Sequence, residues 1–300
     1  MIFQYFSITK DDHDRRLDRI VRRFLPDISL SGIYKLLRKG LIRIDGKKVS
    51  RDFHVMEGNE LGIAPFLLGS VKPAAVPEPS DFIPDILLET RDLLFINKPC
   101  GISVHGEGGL DQLIPQTVDS CSSLSFRTGP LHRLDKDTTG ILTFSRSLEG
   151  ARWFSRAVGE HLLEKYYLGV AEGILLTGAE WQDMAEDGKL MITRVVPLAW
   201  TDNVHPPLTF ARFRIITGRK HQIRIQSSRR GHPLFGDTKY GSDAKIASYF
   251  LHASRIVFPS GRPETIPAKV FAPLPERFRA KIGELFGVDV LAHIEQGELY

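Results

Sequence analysis

The segment Leu131-His132-Arg133-Leu134-Asp135-Lys136-Asp137-Thr138-Thr139-Gly140 places a carboxylate, two flanking cations and two hydroxyls directly before an apolar run. That run, Ile141-Leu142-Thr143-Phe144, predicts a short buried strand, so the polar residues before it are expected in a loop delivered onto a sheet edge. Loops held by a rigid scaffold are where catalytic groups concentrate. A carboxylate is ionised at neutral pH unless it is buried without a partner, and a nearby arginine favours the charged form. Such a group can act as nucleophile or base, and glycosyl chemistry uses both roles. Taken alone, Asp135, Lys136 and Asp137 would more often be solvated loop charges, because short polar motifs recur by chance.

The surrounding chain has 300 residues and 42% hydrophobic content, enough for a substantial core in one large or two smaller domains. Its formal charge of +4 is compatible with a polyanionic partner without requiring one. Cys100 and Cys121 show neither metal-ligand spacing nor a disulfide pattern, so a reducing compartment, the cytoplasm, is expected and no structural metal. Met1 to Lys10 does not read as a leader, and no stretch of about eighteen apolar residues occurs, so no membrane span is expected.

Met1 to Thr9 alternates loosely and predicts a strand. From Asp14 the spacing turns helical, with Leu17, Ile20, Val21, Phe24 and Leu25 inward and Arg15, Arg16, Arg19, Arg22 and Arg23 on the other surface, until Pro26. Ser29 or Ser31 is expected to cap a second helix, with Ile33, Leu36 and Leu37 inward, Lys35, Arg38 and Lys39 outward, and Gly40 as a left-handed terminator. Leu41 to Ile44 then reads as a strand, Asp45-Gly46 as a hairpin turn, Lys47-Lys48-Val49 as its return, and Val55 to Ile63 as a further strand. On Arg15-Arg16-Leu17-Asp18, Ser31 to Gly40 and Ile44 to Val49, this unit resembles the αL-type RNA-binding module first known from a ribosomal small-subunit protein. The resemblance implies that the second helix and the turn after it face structured RNA, with Arg19, Arg22, Arg23, Lys35, Arg38, Lys39, Lys47 and Lys48 as contacts. A charge run is usually a solvated face, but two basic helices joined to a Lys-Lys hairpin favour RNA. Phosphate neutralisation would then dominate affinity and make it fall with salt.

The module is assigned to residues 1–63 and a linker to 64–90, where Pro65, Pro73, Pro77 and Pro79 favour an extended, semi-rigid chain. Residues 91–300 form the second domain. Leu93 to Pro99 reads as a buried strand entering a turn, followed by Gly101-Ile102-Ser103-Val104-His105. Gly106-Glu107-Gly108-Gly109 lacks the lysine and hydroxyl of a phosphate-binding loop. Leu148 to Leu162 predicts an amphipathic helix with Ala151, Phe154, Val158 and Leu162 inside, and Lys165 to Val170 a strand. Ala211, Phe213 and Ile215 alternate with Arg212, Arg214 and Ile216 as a half-buried strand, and Thr217 to Gln226 turns into a helix whose far end is Gly231. No acid occurs between Asp202 and Asp237, whereas Arg212, Arg214, Arg219, Lys220, Arg224, Arg229 and Arg230 accumulate there as a second basic surface.

The arrangement His132-Arg133-Leu134-Asp135 followed by Thr139-Gly140 closely resembles the catalytic motif of the RluA-type pseudouridine synthase family. Four further stretches also match it, in order: Asn97-Lys98-Pro99-x-Gly101-x-x-Val104-His105; Lys165-x-Tyr167; Gly218-Arg219-x-His221-Gln222-Ile223-Arg224; and Gly231-His232-Pro233 to Gly236-Asp237-x-x-Tyr240-Gly241. Thr139 stands where the family usually has serine, and Gln226 where it usually has histidine. The resemblance implies an α+β protein, a small RNA-binding module followed by a catalytic domain on a mixed, mainly antiparallel sheet with flanking helices. It implies isomerisation of uridine in RNA, most readily large-subunit ribosomal RNA, without cofactor or metal; a monomer is the default expectation. Asp135 would be the indispensable group, Arg224 its partner and Tyr167 the ring against the uracil, with Tyr166 as the alternative. Arg133 would fill the space left by the flipped nucleotide, a flip that costs a few kcal/mol. Ile223 would pack beside the base, and His132, Thr139, Gly140, His105 and Arg219 would complete the substrate site.

Two other readings compete. Asp135-x-Asp137-x-Thr139 fits the motif of magnesium-dependent aspartate-nucleophile phosphatases, with Asp237 and Asp243 as a loose metal site, although His132 and Arg133 interrupt the apolar strand such enzymes place before the first aspartate. A non-catalytic RNA-binding factor built around the first module is the third.

Overall fold

The computed structural model describes residues 2–69, 82–118 and 123–295. The expectations that fall on Pro73, Pro77, Pro79 and Cys121 lie outside the described residues. The chain divides into two compact units, and the first combines Met1–Phe82 with Leu113–Gly129 and Ser145–Gly150.

In the first unit, strands Gln4–Ser7, Glu60–Ile63 and Ile42–Ile44 form an antiparallel sheet in that order. The first helix begins at Leu17 rather than Asp14, because Arg15–Arg16 are taken up as a short strand against His54–Val55. Ser29 caps the second helix, Leu30–Lys39, by accepting from the Gly32 amide at 3.2 Å, and Gly40 ends it at φ 71°. Asp45 and Gly46 both adopt positive φ, which suits a two-residue hairpin and joins Ile44 to Lys47. Leu17, Ile20, Val21, Ile33, Ile42 and Leu61 are fully buried at the centre. The linker expected over 64–90 is folded at both ends. Pro65–Leu68 is a helical turn with Leu67 on this core, and Ile86–Glu89 is a strand of the second unit.

Segment 123–126 gathers around a buried carboxylate of the first unit. Asp12 accepts from Ser123 Oγ, the Leu124 and Ser125 amides, and Ser125 Oγ at 2.6 to 2.9 Å. Burial pushes its pKa up, but these bonds outweigh burial and leave it below the ordinary value.

The second unit, Ile83–Gln112 with Pro130–Phe144 and Ala151–Tyr300, is built on a mixed, mainly antiparallel sheet. Its strand order is Ala179–Met184, Leu190–Thr201, Leu208–Ile215, Glu164–Glu172, Leu251–Val257, Thr139–Ser145, Leu93–Lys98 and Ile86–Glu89. The strand after the polar motif therefore starts earlier than expected and runs through the middle of the sheet, not along an edge. All seven of its residues are buried, and it pairs in parallel with Leu251–Val257. Ile141, Phe95 and Ile256 pack with Phe154 of helix Leu148–Gly159, while Leu168, Val170 and Phe210 pack with Phe278 and Ile282 of helix Glu276–Phe286. The first of these helices ends before the expected Leu162. The chain turns away at His161 with φ 56°, which leaves Leu162 exposed instead of inward.

Gly140 has φ +105°, and a Cβ there would lie 2.2 Å from the Ala253 carbonyl oxygen on the parallel neighbour. Both the backbone conformation and the interstrand approach exclude a side chain. Gly140→Ala is expected to lower unfolding free energy by at least about 2 kcal/mol in chemical denaturation. An unchanged midpoint would contradict this close approach.

Candidate active site

Lys98 ends the strand that begins with the apolar run Leu93 to Ile96, and it is fully buried beneath the polar loop. Its Nζ donates to the carbonyls of Lys136 at 2.7 Å, Thr138 at 3.0 Å and Pro99 at 2.8 Å. Burial lowers its pKa to about 8, so it remains mostly charged at neutral pH. The Thr138 amide donates to the Asp135 carbonyl at 3.1 Å, and the Thr138 hydroxyl lies 3.1 Å from that of Tyr249. The loop is thus held by its backbone, which leaves the Asp135 side chain to face the site.

Arg224, on helix Gln222–Arg229, meets that side chain. Its Nη1 donates to Asp135 Oδ2 at 3.1 Å, while Nε and Nη2 donate to the two oxygens of buried Asp237 at 2.6 and 2.8 Å. The guanidinium carbon lies 4.3 Å from the Tyr249 ring centre and 4.9 Å from that of Tyr240. Burial opposes its charge, but the bonds to Asp237 and Asp135 and the Tyr249 ring overcome this and raise its pKa. His221 precedes the helix at φ 54°, with Nδ1 2.6 Å from the Tyr240 hydroxyl and Nε2 3.5 Å from Asp135. Burial lowers its pKa despite the carboxylate, which favours the neutral ring.

Asp135 borders three hollows. One of about 60 Å³ is lined by Tyr167, Ile223 and Arg224, so the proposed base-contacting side chains come together with the carboxylate. Arg133 and Arg219 line both this hollow and a second of about 460 Å³, which adds Lys165 and Lys220, and a third of about 290 Å³ adds His105. Arg133 is exposed beside the carboxylate. Burial raises the Tyr167 hydroxyl pKa, so this ring stays neutral. Tyr166 faces the opposite side of the sheet, where its hydroxyl donates to Glu164 at 2.6 Å and Arg255 lies over its ring, so it does not serve as the alternative to Tyr167.

Some expected substrate contacts prove to be scaffold. Thr139 Oγ1 lies 2.8 Å from His252 Nδ1, and Gly140 packs on Ala253, so neither lines a hollow with Asp135. His132 borders the large hollow, but its Nε2 accepts from the Thr143 amide at 3.1 Å and its ring stacks on Phe154. Gln226 lies fully buried away from Asp135. It donates to Asp183 at 2.7 Å and accepts from Thr193 at 2.7 Å, fastening the outer hairpin instead of supporting the carboxylate. In the first unit Arg23 donates to the Leu124 and Phe126 carbonyls at 3.1 and 3.0 Å, which removes it from the expected RNA face. Arg19, Arg22, Lys35, Arg38, Lys39, Lys47 and Lys48 are exposed. Sequence reasoning missed the roles of Lys98, Asp237 and Tyr249. A lysine closing an apolar strand, and the first acid after an acid-free stretch, were the available signals for the first two.

A carboxylate paired to a shared guanidinium at a cavity floor, in a chain that also carries a basic two-helix module, defines an RNA-directed enzyme. Residues 92–229 belong to the RNA pseudouridylate synthase family, of RluA type, and residues 15–61 to the S4 domain family. The chain is 28% identical to the ribosomal large subunit pseudouridine synthase C of Vibrio vulnificus (strain CMCP6), over 94% of this chain and 96% of that one. It is 27% identical to the protein of that name from Escherichia coli (strain K12), over 84% and 87% respectively. The solved structure of human RNA Pseudouridylate Synthase Domain Containing 4 has the same fold, with a TM-score of 0.56 at 20% identity over 67% of this chain and 92% of that one. The phosphatase alternative fails on the site as well, because Arg224 occupies both oxygens of Asp237. Among the described residues no helix is long and apolar enough to cross a membrane.

Two neutral imidazoles hold the strand that carries the loop. His132 is bound to Thr143, and His252 to Thr139 and the Ala272 carbonyl. Burial lowers their pKa values to about 3 and about 4. The unfolded chain therefore binds more protons than the fold between those values and about 6.5, so stability falls as pH drops through that window. Denaturant titrations at pH 7 and pH 5 are expected to differ by roughly 2–4 kcal/mol, with the acid sample weaker. Equal stability would show that the rings are not buried neutral.

Proposed function

We propose that this pseudouridine synthase isomerises specific uridines of large-subunit ribosomal RNA in the cytoplasm, acting as a monomer, with Asp135 at the sugar. The observation that carries the site assignment is the 3.1 Å contact between Arg224 and Asp135 beside Tyr167 and Ile223. The bond from ribose C1′ to uracil N1 breaks, the base turns, and a bond from C1′ to C5 forms. C5 loses a proton to solvent and N1 gains one, so no cofactor is required. Cation-like character at C1′ is stabilised by the Asp135 carboxylate, which either attacks that carbon or removes the neighbouring ribose proton. Arg224 fixes the carboxylate's direction and balances its charge. Tyr167 and Ile223 take opposite sides of the everted base, and exposed Arg133 fills the gap in the RNA.

The RNA target is supported by the names of the relatives and by the exposed cations of the first unit.

Asp135→Asn preserves the shape but not the charge. With large-subunit ribosomal RNA tritiated at uracil C5, it is expected to lower label release at least about 10³-fold while changing RNA affinity less than about twofold. Label release at wild-type rate by this variant removes Asp135 from the reaction. Arg38→Ala with Lys39→Ala is expected to weaken RNA binding and flatten its salt dependence without altering release at saturating RNA. Unchanged binding would assign the RNA surface elsewhere.

A further inference from the structure

The hollow of about 460 Å³ extends well beyond the space around Asp135, between the end of helix Leu148–Gly159 and the loop before helix Gln222–Arg229. Arg133, Lys165, Arg219 and Lys220 all border it, and Asp135 is its single acidic side chain. Asp135 is already engaged by Arg224.

Lys165 is the unusual member. It lies two residues before Tyr167 on strand Glu164–Glu172, so the two side chains share a face, and both line the hollow. Its neighbour Glu164 projects to the other face, where it binds Tyr166 and Arg214. No carboxylate or carbonyl bonds the Lys165 ammonium among the described residues, and the ring nearest it in charge terms is the neutral His132. Burial alone governs its pKa, which it lowers, and no acid compensates. An inward ammonium without a counter-ion is costly, and a neutral carbonyl would not offset its charge. A phosphate would, and each nucleotide of the substrate brings one.

We propose that Lys165 is a phosphate ligand, and that the hollow behind Asp135 is a subsite for an RNA backbone phosphate beside the everted uridine. This inference rests on the function proposed above. Arg219 and Lys220 border the same hollow and would receive the strand, and Arg133 borders both this hollow and the smaller one beside the carboxylate. Lys165 thus fixes how far the nucleotide enters, and Tyr167 on the same strand meets the base at that depth.

The test is equilibrium binding of a short fluorescein-labelled oligouridylate across a series of KCl concentrations, with wild type, Lys165→Met and Lys165→Arg. Loss of one phosphate contact from a single strand reduces the slope of log affinity against log salt by about 0.7. Lys165→Met is expected to show that reduction, with affinity at low salt down by roughly tenfold, whereas Lys165→Arg keeps the wild-type slope. The free Lys165→Met protein is expected to melt no lower than wild type, since it loses an uncompensated charge; Lys165→Gln provides the same comparison should the methionine variant misfold. A wild-type slope in the uncharged variants overturns the proposal. Affinity lost equally at every salt concentration overturns it in favour of a contact to the base. Binding needs no turnover, so absent tritium release with a shifted slope would sink the reaction assignment and leave the phosphate subsite standing.

Discussion

Arg224 is shared between two carboxylates, and the chemistry of the site depends on that sharing. Asp237, almost wholly inaccessible, takes two of the guanidinium's nitrogens in a forked arrangement and fixes its plane, so the remaining Nη1 can point in only one direction. Asp135 sits in that direction. The rings of Tyr240 and Tyr249 close over the guanidinium and restrict its movement. A lysine could supply the charge but not the fork. Breaking such a buried arrangement by deleting one partner typically costs about 3–5 kcal/mol, because it strands the other charge. Orientation and stability are therefore set by the same contacts.

The other half of the geometry is the loop itself, and it is held from beneath and behind by bonds within the protein. Lys98 gathers three backbone carbonyls beneath it, Thr138 reaches Tyr249, and Gly140 lets the next strand lie against Ala253. Thr139, His252 and His132 then fasten that strand along its length. Position, not reactivity, is what these polar residues contribute. Burying so many polar groups is tolerable because each has found a partner with suitable geometry.

Much of this could be read in the sequence, and the rest was hidden for physical reasons. Asp135, Arg224, Tyr167 and Ile223 were legible because their order and spacing carry the family's pattern, and the structure brings them to one cavity. The helices of the first unit were legible from periodicity and from Ser29, Gly40 and Asp45-Gly46, whose local chemistry decides their conformation. Thr139 and Gly140 were expected among the substrate contacts but are engaged with His252 and Ala253, and His132, though it borders the large hollow, is bonded to Thr143. A motif shows which residues travel together but not which of them point outward, and strand alternation around a tight loop decides that. The central placement of the Thr139–Ser145 strand was equally invisible, since its pairing with Leu251–Val257 joins segments more than a hundred residues apart. Arg23 looked like its exposed neighbours Arg19 and Arg22, and only the return of segment 123–126 to the first unit gave it internal partners.

The distribution of charge around the carboxylate resolves an apparent conflict in the task. RNA must be drawn in by cations, yet the reacting sugar carbon becomes cation-like and must not meet one. Two carboxylates share a single guanidinium at the floor, so that cation alone does not neutralise both acids. Arg133, Arg219 and Lys220 stand around the hollow instead, and the His221 ring beside Asp135 is biased toward neutrality by burial. In the proposed reaction these cations would draw in the RNA phosphates, while the Asp135 carboxylate would meet the sugar.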